Sequence, residues 1–389
     1  MDDRLLKIAV CPVCKGELED ELNVLKCRQC DKQYGLDNGI AVFSNFTQEN
    51  TRNKKTGRKK ISVLWRDLYL VAIFILLLIF TPVVAVLCLV ISIFFNKKKV
   101  IRESSRKFSG FLTRFDFNRG SRSWFNRNIF LARYRNLLKQ LEYEDIMAAV
   151  DPSGDDLILD CGCGPGMYTH EFAKYAGMTV GMDINCSNVT GCTMEERASK
   201  MFVQGSMYDM PFRDGAFNKV FAGEMLIPFQ KDTERTISEI SRVLQKGGFL
   251  IVLNGYFFNT LNKIYMHNNT AVSFISKITK IPSDMDTLKK IWIGHLLDDP
   301  GNFMISGRSE FYEAHLSAAG FKLISNYGSI STVNEFIYSM IILIALALGK
   351  KEWKSNGNYV FLYPILRLFE SLCKVKTGAF IHVYEKQAQ

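Results

Sequence analysis

Residues 157–166 read LILDCGCGPG: an apolar run, an aspartate, and a turn that alternates glycine with other residues. The run Leu157–Leu159 is typical of a strand buried in a parallel sheet, and the residues from Met167 onward are typical of a helix. Cys161 and Cys163 have no second pair of metal ligands close by in the sequence, so small size in a crowded turn explains them better than a metal does. The stretch therefore predicts a strand–turn–helix unit that holds a ligand.

The spacing of the glycines indicates which ligand this is. A dinucleotide fold needs G-x-G-x-x-G/A, which brings a helix N-terminus onto a pyrophosphate. The sixth position here is Met167 counted from Gly162 and Thr169 counted from Gly164, so both registers fail. Asp160, at the end of the strand, would repel a pyrophosphate. It suits a cationic ammonium, such as the methionine end of S-adenosylmethionine.

The segments that follow continue an α/β pattern. GMDIN (181–185) ends a second strand in Asp183, whose carboxylate can accept hydrogen bonds from both ribose hydroxyls of a nucleoside. QGSMYDMPF (204–212) follows a third strand and can meet an adenine ring. A later helical pattern is expected to end at Gly247-Gly248, before a further strand. Alternating strands and helices of these lengths predict an α/β fold with a doubly wound, mostly parallel sheet.

In combination, these motifs make residues 150–255 resemble the class I S-adenosylmethionine-dependent methyltransferases of the type 11 family. The hallmarks are LDCGCGPG (159–166), GMDIN (181–185), QGSMYDMPFRDGAF (204–217) and EISRVLQKGGFLIV (239–252). The resemblance implies a Rossmann-like, seven-stranded methyltransferase domain over residues 121–389, with an apolar insertion at 335–376. It also implies cofactor-binding residues: Asp160, Gly162, Cys163, Gly164 and Gly166 around the methionine moiety, Asp183 on the ribose, Ser206 and Met207 at the adenine, and Ile184 and Glu224 in the same pocket.

The motifs do not name a general base for methyl transfer. Many relatives carry a histidine after the fourth strand, where this chain reads GEMLIP (223–228). Glu224, His295 and Tyr168 are the candidates for this role. Of these, His295 lies in a segment that relatives use to bind the acceptor.

Residues 1–46 carry a second signal, which is a set of four cysteines. Cys11-x2-Cys14 and Cys27-x2-Cys30 are separated by twelve residues, and each pair suits a tight knuckle whose amides face thiolate sulfur. Together they predict a closed tetrahedral zinc site. Its metal would be structural and would supply folding free energy to a domain with little core. Residues 7–44 resemble the zinc-ribbon activator subunit of tRNA and rRNA methyltransferases.

Basic and apolar stretches separate these two domains. Residues 51–140 hold 20 Lys or Arg against three acidic residues, so the rest of this chain of net charge +10 sums to −7. Leu68–Phe95 runs for 28 positions without a charge, and about 20 apolar residues suffice to cross a bilayer. We expect a basic linker at 47–66, a membrane segment at 67–96 and a basic juxtamembrane linker at 97–120.

The topology of the membrane segment stays open between two forms, a re-entrant helical hairpin bent at Pro82 and a single transmembrane helix. Both flanks of the segment are basic, so the positive-inside rule places both ends in the cytosol. Reduced zinc thiolates favour the same side. We therefore expect membrane association, contact with an anionic lipid surface, and a catalytic domain that faces the cytoplasm.

Two further stretches have helical patterns. Residues 121–150 mix aromatic and basic positions, which favours a packing helix near lipid headgroups over an RNA-binding one. Phe336–Leu348, in the apolar insertion, is too short to span a bilayer. It can cap a hydrophobic channel, lie in the membrane interface or pack as a core helix.

Taken together, these features predict a membrane-anchored methyltransferase that acts on a lipophilic or lipid-linked acceptor, at oxygen or carbon. One alternative is an RNA methyltransferase that uses the zinc ribbon to bind RNA. Nucleic acid is the less favoured partner, because the positive charge clusters around the apolar run. The other alternative is a non-catalytic membrane scaffold that retains the cofactor fold. The acceptor and the oligomeric state do not follow from the sequence.

Overall fold

The structure is a computed structural model. The residues it describes are 2–21, 24–37, 39–43, 129–164, 166–184, 199–223, 233–255, 310–347, 363–373 and 375–387. The expected membrane segment at 67–96 and its two linkers lie outside these ranges, as do Glu224 and His295. Within the described ranges, no helix combines the length and the apolar character that a bilayer crossing requires.

The described residues contain seven helices and eleven strands. The first domain consists of α1 (Asp3–Ile8), β1 (Leu18–Glu21), β2 (Val24–Cys27), β3 (Gln33–Asp37) and β4 (Ile40–Val42). The second begins with α2 (Ile129–Val150), β5 (Leu157–Cys161), α3 (Met167–Phe172), β6 (Met178–Asp183), β7 (Lys200–Gln204), β8 (Phe217–Gly223), α4 (Thr233–Val243) and β9 (Leu244–Gly255). It continues with α5 (Glu310–Ala318), β10 (Phe321–Ser331), α6 (Thr332–Ala347), α7 (Tyr363–Leu372) and β11 (Lys376–Lys386).

The strands of the second domain lie in the order β7-β6-β5-β8-β9-β11-β10. The pairs from β7 through β9 are parallel, whereas β11 runs antiparallel between β9 and β10. This confirms the doubly wound, mostly parallel sheet of seven strands. The strand order reverses between β5 and β8, and in such sheets ligands bind beyond the carboxyl ends of the strands at this point.

The sheet continues beyond β7 into the first domain. β4 pairs in parallel with β7, with Ala41 opposite Val203 and Val42 opposite Gln204. β3, β2 and β1 then extend the sheet outward as antiparallel strands, so that eleven described strands form one sheet. The sequence divides the chain into two domains and gives no sign of this shared sheet. We call the first domain (described residues 2–43) the ribbon and its contact with the second domain the seam.

The apolar core lies on both faces of the sheet. One cluster crosses the seam and joins Leu5 and Ala9 of the ribbon to Met210, Phe212 and Ile240 of the second domain. The other cluster packs α2 and α3 against the sheet through residues that include Ile146, Phe172, Ile251 and Ile381. The ribbon therefore shares its core with the second domain.

Two predicted helix boundaries differ from the structure. Gly247-Gly248 does not end α4, because the helix stops at Val243 and β9 already begins at Leu244. Gly248 packs close to backbone, since an added Cβ would lie 2.8 Å from the Asn218 carbonyl oxygen. In the insertion, α6 begins at Thr332, before the predicted start at Phe336, and its first two turns bury Ile337 and Tyr338. This part of the insertion packs as a core helix.

A charged network holds the seam together. Glu239 of α4 accepts hydrogen bonds from Lys15 Nζ at 3.0 Å and from the Met210 amide at 2.6 Å, through the same carboxylate oxygen. Arg242 binds the other oxygen at 2.7 Å. Burial opposes ionisation of Glu239, but the hydrogen bonds from Arg242 and Lys15 outweigh it and lower the pKa of this carboxyl group.

We expect Glu239→Gln to destabilise the full chain by about 1–3 kcal/mol, because Lys15 and Arg242 lose a charged partner at a largely buried site. Glu234→Gln, on the exposed side of the same helix, is the matched control and should change the free energy of unfolding by roughly 0.5 kcal/mol or less. Urea unfolding measures both. Equal shifts in the two variants would show that the network does not stabilise the seam.

Candidate cofactor site and metal centre

Three glycines with positive φ shape the turn between β5 and α3: Gly162 (+74°), Gly164 (+53°) and Gly166 (+76°). Residues with a Cβ rarely adopt this conformation. The Gly162 and Cys163 amides both donate to the Met182 carbonyl, at 2.8 and 3.0 Å. These bonds fold the turn back onto β6, at the carboxyl edge of the sheet.

Asp183, the last residue of β6, borders this turn. Its Oδ2 accepts a hydrogen bond from the Gly164 amide at 2.9 Å, and its carbonyl accepts one from Gly205 at 3.0 Å. The next residue, Ile184, is 41% exposed and presents an apolar surface beside the carboxylate. Asp183 thus connects the glycine turn to the segment after β7. In nucleotide-binding folds an acid at a similar distance along the chain hydrogen-bonds the ribose.

Asp160 lies beneath the turn and is buried. Its Oδ2 accepts a hydrogen bond from Thr169 Oγ1 at 2.6 Å. Burial raises the pKa of Asp160 to about 7. The hydrogen bonds from Thr169 oppose this rise, and the charge of Asp183 adds to it. This refines the role expected from the sequence, because the carboxyl group is partly protonated near neutral pH. A cationic ligand would favour its ionised form.

Residues 205–212, here called the 205–212 loop, carry Ser206 and Met207. Ser206 Oγ accepts a hydrogen bond from the Tyr208 amide at 3.2 Å, and Met207 packs partly buried against the core. Arg235 of α4 holds the middle of the loop, since it donates to the Tyr208 carbonyl at 2.9 Å and to both carboxylate oxygens of Asp209. The loop begins beside Asp183, so the structure brings its residues and the glycine turn to one edge of the sheet.

Tyr168 is the base candidate that lies within the described residues. Its ring packs 5.1 Å from Phe221 and 6.0 Å from Phe172, between ring centroids. Its hydroxyl lies 3.4 Å from Glu142 Oε2, and both residues are buried. These contacts describe a packing role for Tyr168. They also reveal Glu142, a buried acid of α2 that the mixed aromatic and basic pattern of residues 121–150 does not single out.

The four ribbon cysteines form a compact cluster. Their Sγ atoms all lie within 4.8 Å of one another, with Cys11 and Cys30 at 3.7 Å and Cys14 and Cys27 at 3.4 Å. Thiolates at 2.3 Å from a tetrahedral zinc ion are separated by roughly 3.8 Å, so the donor set and its spacing fit zinc. Burial opposes ionisation of Cys11, yet hydrogen bonds from Tyr34 and from nearby amides lower the pKa of its thiol to about 6.

The ribbon is hydrogen-bonded to both ends of the 205–212 loop. At the start of the loop, the Phe43 amide donates to the Gln204 carbonyl at 2.8 Å. At its end, the Val10 amide donates to the Pro211 carbonyl at 3.0 Å, and Ala9 forms an antiparallel bridge with Phe212. The cysteine cluster and the cofactor edge of the sheet are therefore joined through backbone hydrogen bonds.

A small apolar cluster makes a second connection. Ile40 of β4, Phe202 of β7 and Cys163, the residue between two glycines of the turn, belong to one buried cluster. The sequence explains Cys163 by its small size and by its place in the glycine turn. The structure adds that it shares a buried cluster with a residue of the ribbon.

Comparisons with known proteins agree with this geometry. Residues 159–252 match the family model described as a methyltransferase domain, and residues 2–39 match that of Trm112p-like proteins. "Probable methyltransferase ltbC" of Aspergillus luteorubrus is 32% identical over 155 residues, which are 36% of this chain and 47% of that protein. The sterol 24-C-methyltransferase ERG6B of Gibberella zeae is 39% identical over 97 residues, 23% of this chain and 25% of that protein.

Among solved structures, one chain of a complex between the Haloferax volcanii Trm112 methyltransferase activator and a methyltransferase is similar to this chain. The alignment covers 74% of this chain and 100% of the matched chain, at 16% identity and a TM-score of 0.41. The chain spans about half the length of the first curated relative and a quarter of the second. The match over residues 159–252 identifies this part of the chain as a class I S-adenosylmethionine-dependent methyltransferase domain. It is preceded by a Trm112-like ribbon whose cysteines can bind a metal.

We expect Cys27→Ser to abolish zinc retention and to lower the melting temperature of the full chain, because three thiolates no longer close the tetrahedral site. Cys373→Ser is the control, since Cys373 is also buried but lies outside the cluster. Atomic absorption on purified protein measures the metal content, and calorimetry measures the melting temperature. Equal zinc content in the two variants would contradict a four-cysteine metal site.

We expect affinity for S-adenosylhomocysteine to rise roughly tenfold between pH 6 and pH 8. The ligand's ammonium group favours ionised Asp160, whose pKa of about 7 in the free protein means that binding at low pH must release a proton. Asp160→Asn should bind more weakly and lose this slope. Calorimetric titration at several pH values tests both. An identical slope in the variant would show that Asp160 does not titrate on binding.

Proposed function

We propose that this chain is an S-adenosylmethionine-dependent methyltransferase, held at a membrane surface, that methylates a lipophilic or lipid-linked acceptor. The observation that carries the methyltransferase part of the proposal is the joint placement of the glycine turn and Asp183 at the carboxyl edge of the sheet, with the Gly164 amide bonded to the Asp183 carboxylate. The methyltransferase-domain match over residues 159–252 supports the reaction class.

Different residues at this edge of the sheet would bind different parts of the cofactor. Bound S-adenosylmethionine supplies a sulfonium methyl group to a nucleophile. Gly162 and Gly164 would hold its methionine end, and ionised Asp160 would attract the positively charged ammonium group. Asp183 suits the ribose hydroxyls, and the exposed surface of Ile184 suits the adenine ring. The remaining requirements are an acceptor held in line with the methyl group and a place for its proton.

Two observations support a lipophilic acceptor at a membrane. The uncharged run Leu68–Phe95 is flanked on both sides by Lys and Arg, which suits an apolar anchor next to anionic lipid headgroups. Several relatives are named as sterol methyltransferases, so the fold hosts lipid acceptors elsewhere. A tether to the bilayer raises the effective concentration of enzyme around such an acceptor. On the same reasoning we place the catalytic domain on the cytoplasmic side.

A nucleic-acid or protein acceptor is the second candidate, and the Trm112-like match is the observation that favours it. The charge of the ribbon weighs against RNA. Residues 2–43 hold eight acidic and six basic side chains, a net charge of −2. RNA-binding surfaces gain most of their affinity from clustered Lys and Arg. The ribbon therefore suits a structural role at the seam better than a phosphate-binding role.

The acceptor class can be read from the fate of a labelled methyl group. Membranes that contain the full chain are incubated with methyl-labelled S-adenosylmethionine and separated into organic, RNA and protein fractions. We expect label in the organic fraction. Asp183→Ala should reduce this labelling by about tenfold or more, because ribose contacts are removed. Asp155→Ala, at an exposed aspartate before β5, is the control and should label as the wild type does.

Each other result contradicts a particular part of the proposal. Label confined to the RNA or protein fraction would replace the lipophilic acceptor with the second candidate. Binding of S-adenosylhomocysteine without label in any fraction would support the non-catalytic scaffold.

A further inference from the structure

Tyr34 of β3 connects the cysteine cluster to the edge of the cofactor domain. Its hydroxyl oxygen lies 3.1 Å from Cys11 Sγ. Its ring centroid lies 5.1 Å from that of Phe43, with the planes tilted by 55°. Tyr34, Cys11 and Phe43 are all buried, so both contacts are shielded from water.

The chemistry of a metal-bound cysteine sets the direction of the first contact. A thiolate ligand has no hydrogen to donate, so with metal in the cluster the Tyr34 hydroxyl is the donor and the Cys11 sulfur is the acceptor. Hydrogen bonds of this kind orient a metal ligand and stabilise its charge, and their loss typically weakens metal binding. Tyr34 therefore belongs to the outer shell of the metal centre.

The second contact leads toward the cofactor site. The Phe43 amide donates to the Gln204 carbonyl, which extends the β4–β7 pairing by one residue. The Phe43 side chain lines a cavity of about 360 Å³ at the seam, together with Pro12, Val13, Ser206, Asp209 and Arg235. Phe43 and Ser206, the second residue of the 205–212 loop, thus line the same cavity.

The same metal ligand also lies next to the contact at the other end of the loop. Val10, the neighbour of Cys11, donates to the Pro211 carbonyl. Pro211 is thus held through the backbone beside Cys11, and Gln204 is held through Tyr34 and Phe43. Both ends of the loop depend on the position of one cysteine.

We propose that Tyr34 is a positioning residue that couples the metal centre to the cofactor site. Its hydroxyl donates to the Cys11 thiolate, and its ring fixes Phe43 and with it the start of the 205–212 loop. The coupling half of this inference rests on the proposed function, because it takes S-adenosylmethionine as the cofactor. The hydrogen bond to the metal ligand does not. Coupling between two sites is reciprocal, so the cofactor product should tighten zinc by the factor by which zinc tightens the product.

The test measures zinc affinity of the detergent-purified full chain by competition with a chromogenic chelator, with and without saturating S-adenosylhomocysteine. Tyr34→Phe keeps the ring and removes only the hydroxyl. Tyr312→Phe is the matched control, because Tyr312 lies in α5, outside the ribbon. Its hydroxyl is also buried and lies 2.7 Å from His382 Nδ1. Melting curves establish that both variants are folded.

We expect Tyr34→Phe to weaken zinc binding about 10- to 100-fold and Tyr312→Phe to leave it unchanged. In the wild-type chain, S-adenosylhomocysteine should tighten zinc by roughly fivefold or more, and in Tyr34→Phe this factor should fall toward one. Phe43→Leu should lower the factor while it keeps the zinc affinity measured without ligand, since Phe43 is not one of the four ligating residues and offers no hydrogen bond to them from its side chain.

The outcomes separate the parts of the inference. Wild-type zinc affinity in Tyr34→Phe overturns the hydrogen bond to the metal ligand. Weakened zinc binding with an undiminished coupling factor overturns the link to the cofactor site. A wild-type chain that binds zinc but no S-adenosylhomocysteine contradicts both the proposed function and the coupling, and the chelator measurement still decides the hydrogen bond.

Discussion

The parallel pairing of β4 with β7 is the interaction on which the rest of this structure depends. An uncovered edge strand exposes a row of unpaired amides and carbonyls, and folded proteins normally pair or cover such edges. β4 provides this cover, with Ala41 opposite Val203 and Val42 opposite Gln204. In return, the ribbon gains a shared core that a domain of its size cannot build alone. Each part supplies what the other lacks.

This pairing also decides which part of the cofactor edge the ribbon can influence. β7 leads directly into the 205–212 loop, and hydrogen bonds from Phe43 and Val10 hold the two ends of that loop. Ile40 also shares a small buried cluster with Phe202 and with Cys163 of the glycine turn. The four-cysteine cluster, whose donor set can hold a metal ion, is therefore connected to the edge of the sheet that carries the candidate cofactor site.

Local patterns made part of this structure predictable. LILDCGCGPG identifies a strand, a turn and a helix because glycine spacing and apolar runs act within a few residues, and the same holds for the two cysteine pairs. Asp183 ends β6, as the sequence predicts for the acid of its second strand. Such features need no knowledge of distant contacts.

The features that escaped prediction all depend on distant contacts. Ile40–Val42 is only three residues long, and nothing in it names β7 as its partner. Lys15 and Glu239 form an ion pair across 224 positions. The pKa of Asp160 depends on its burial, which raises it, and on the hydrogen bonds from Thr169, which lower it.

Residues 67–96 lie outside the described ranges, so the predicted membrane segment remains a prediction.

Hydrogen–deuterium exchange on the full chain, with and without bound zinc, tests the central claim most directly. If ribbon and cofactor edge form one unit, removal of the metal should speed exchange in residues 2–43 and also in 199–213, while β8 and β9 keep their protection. Faster exchange confined to residues 2–43 would contradict this account, because the ribbon could then unfold without disturbing the edge that it covers.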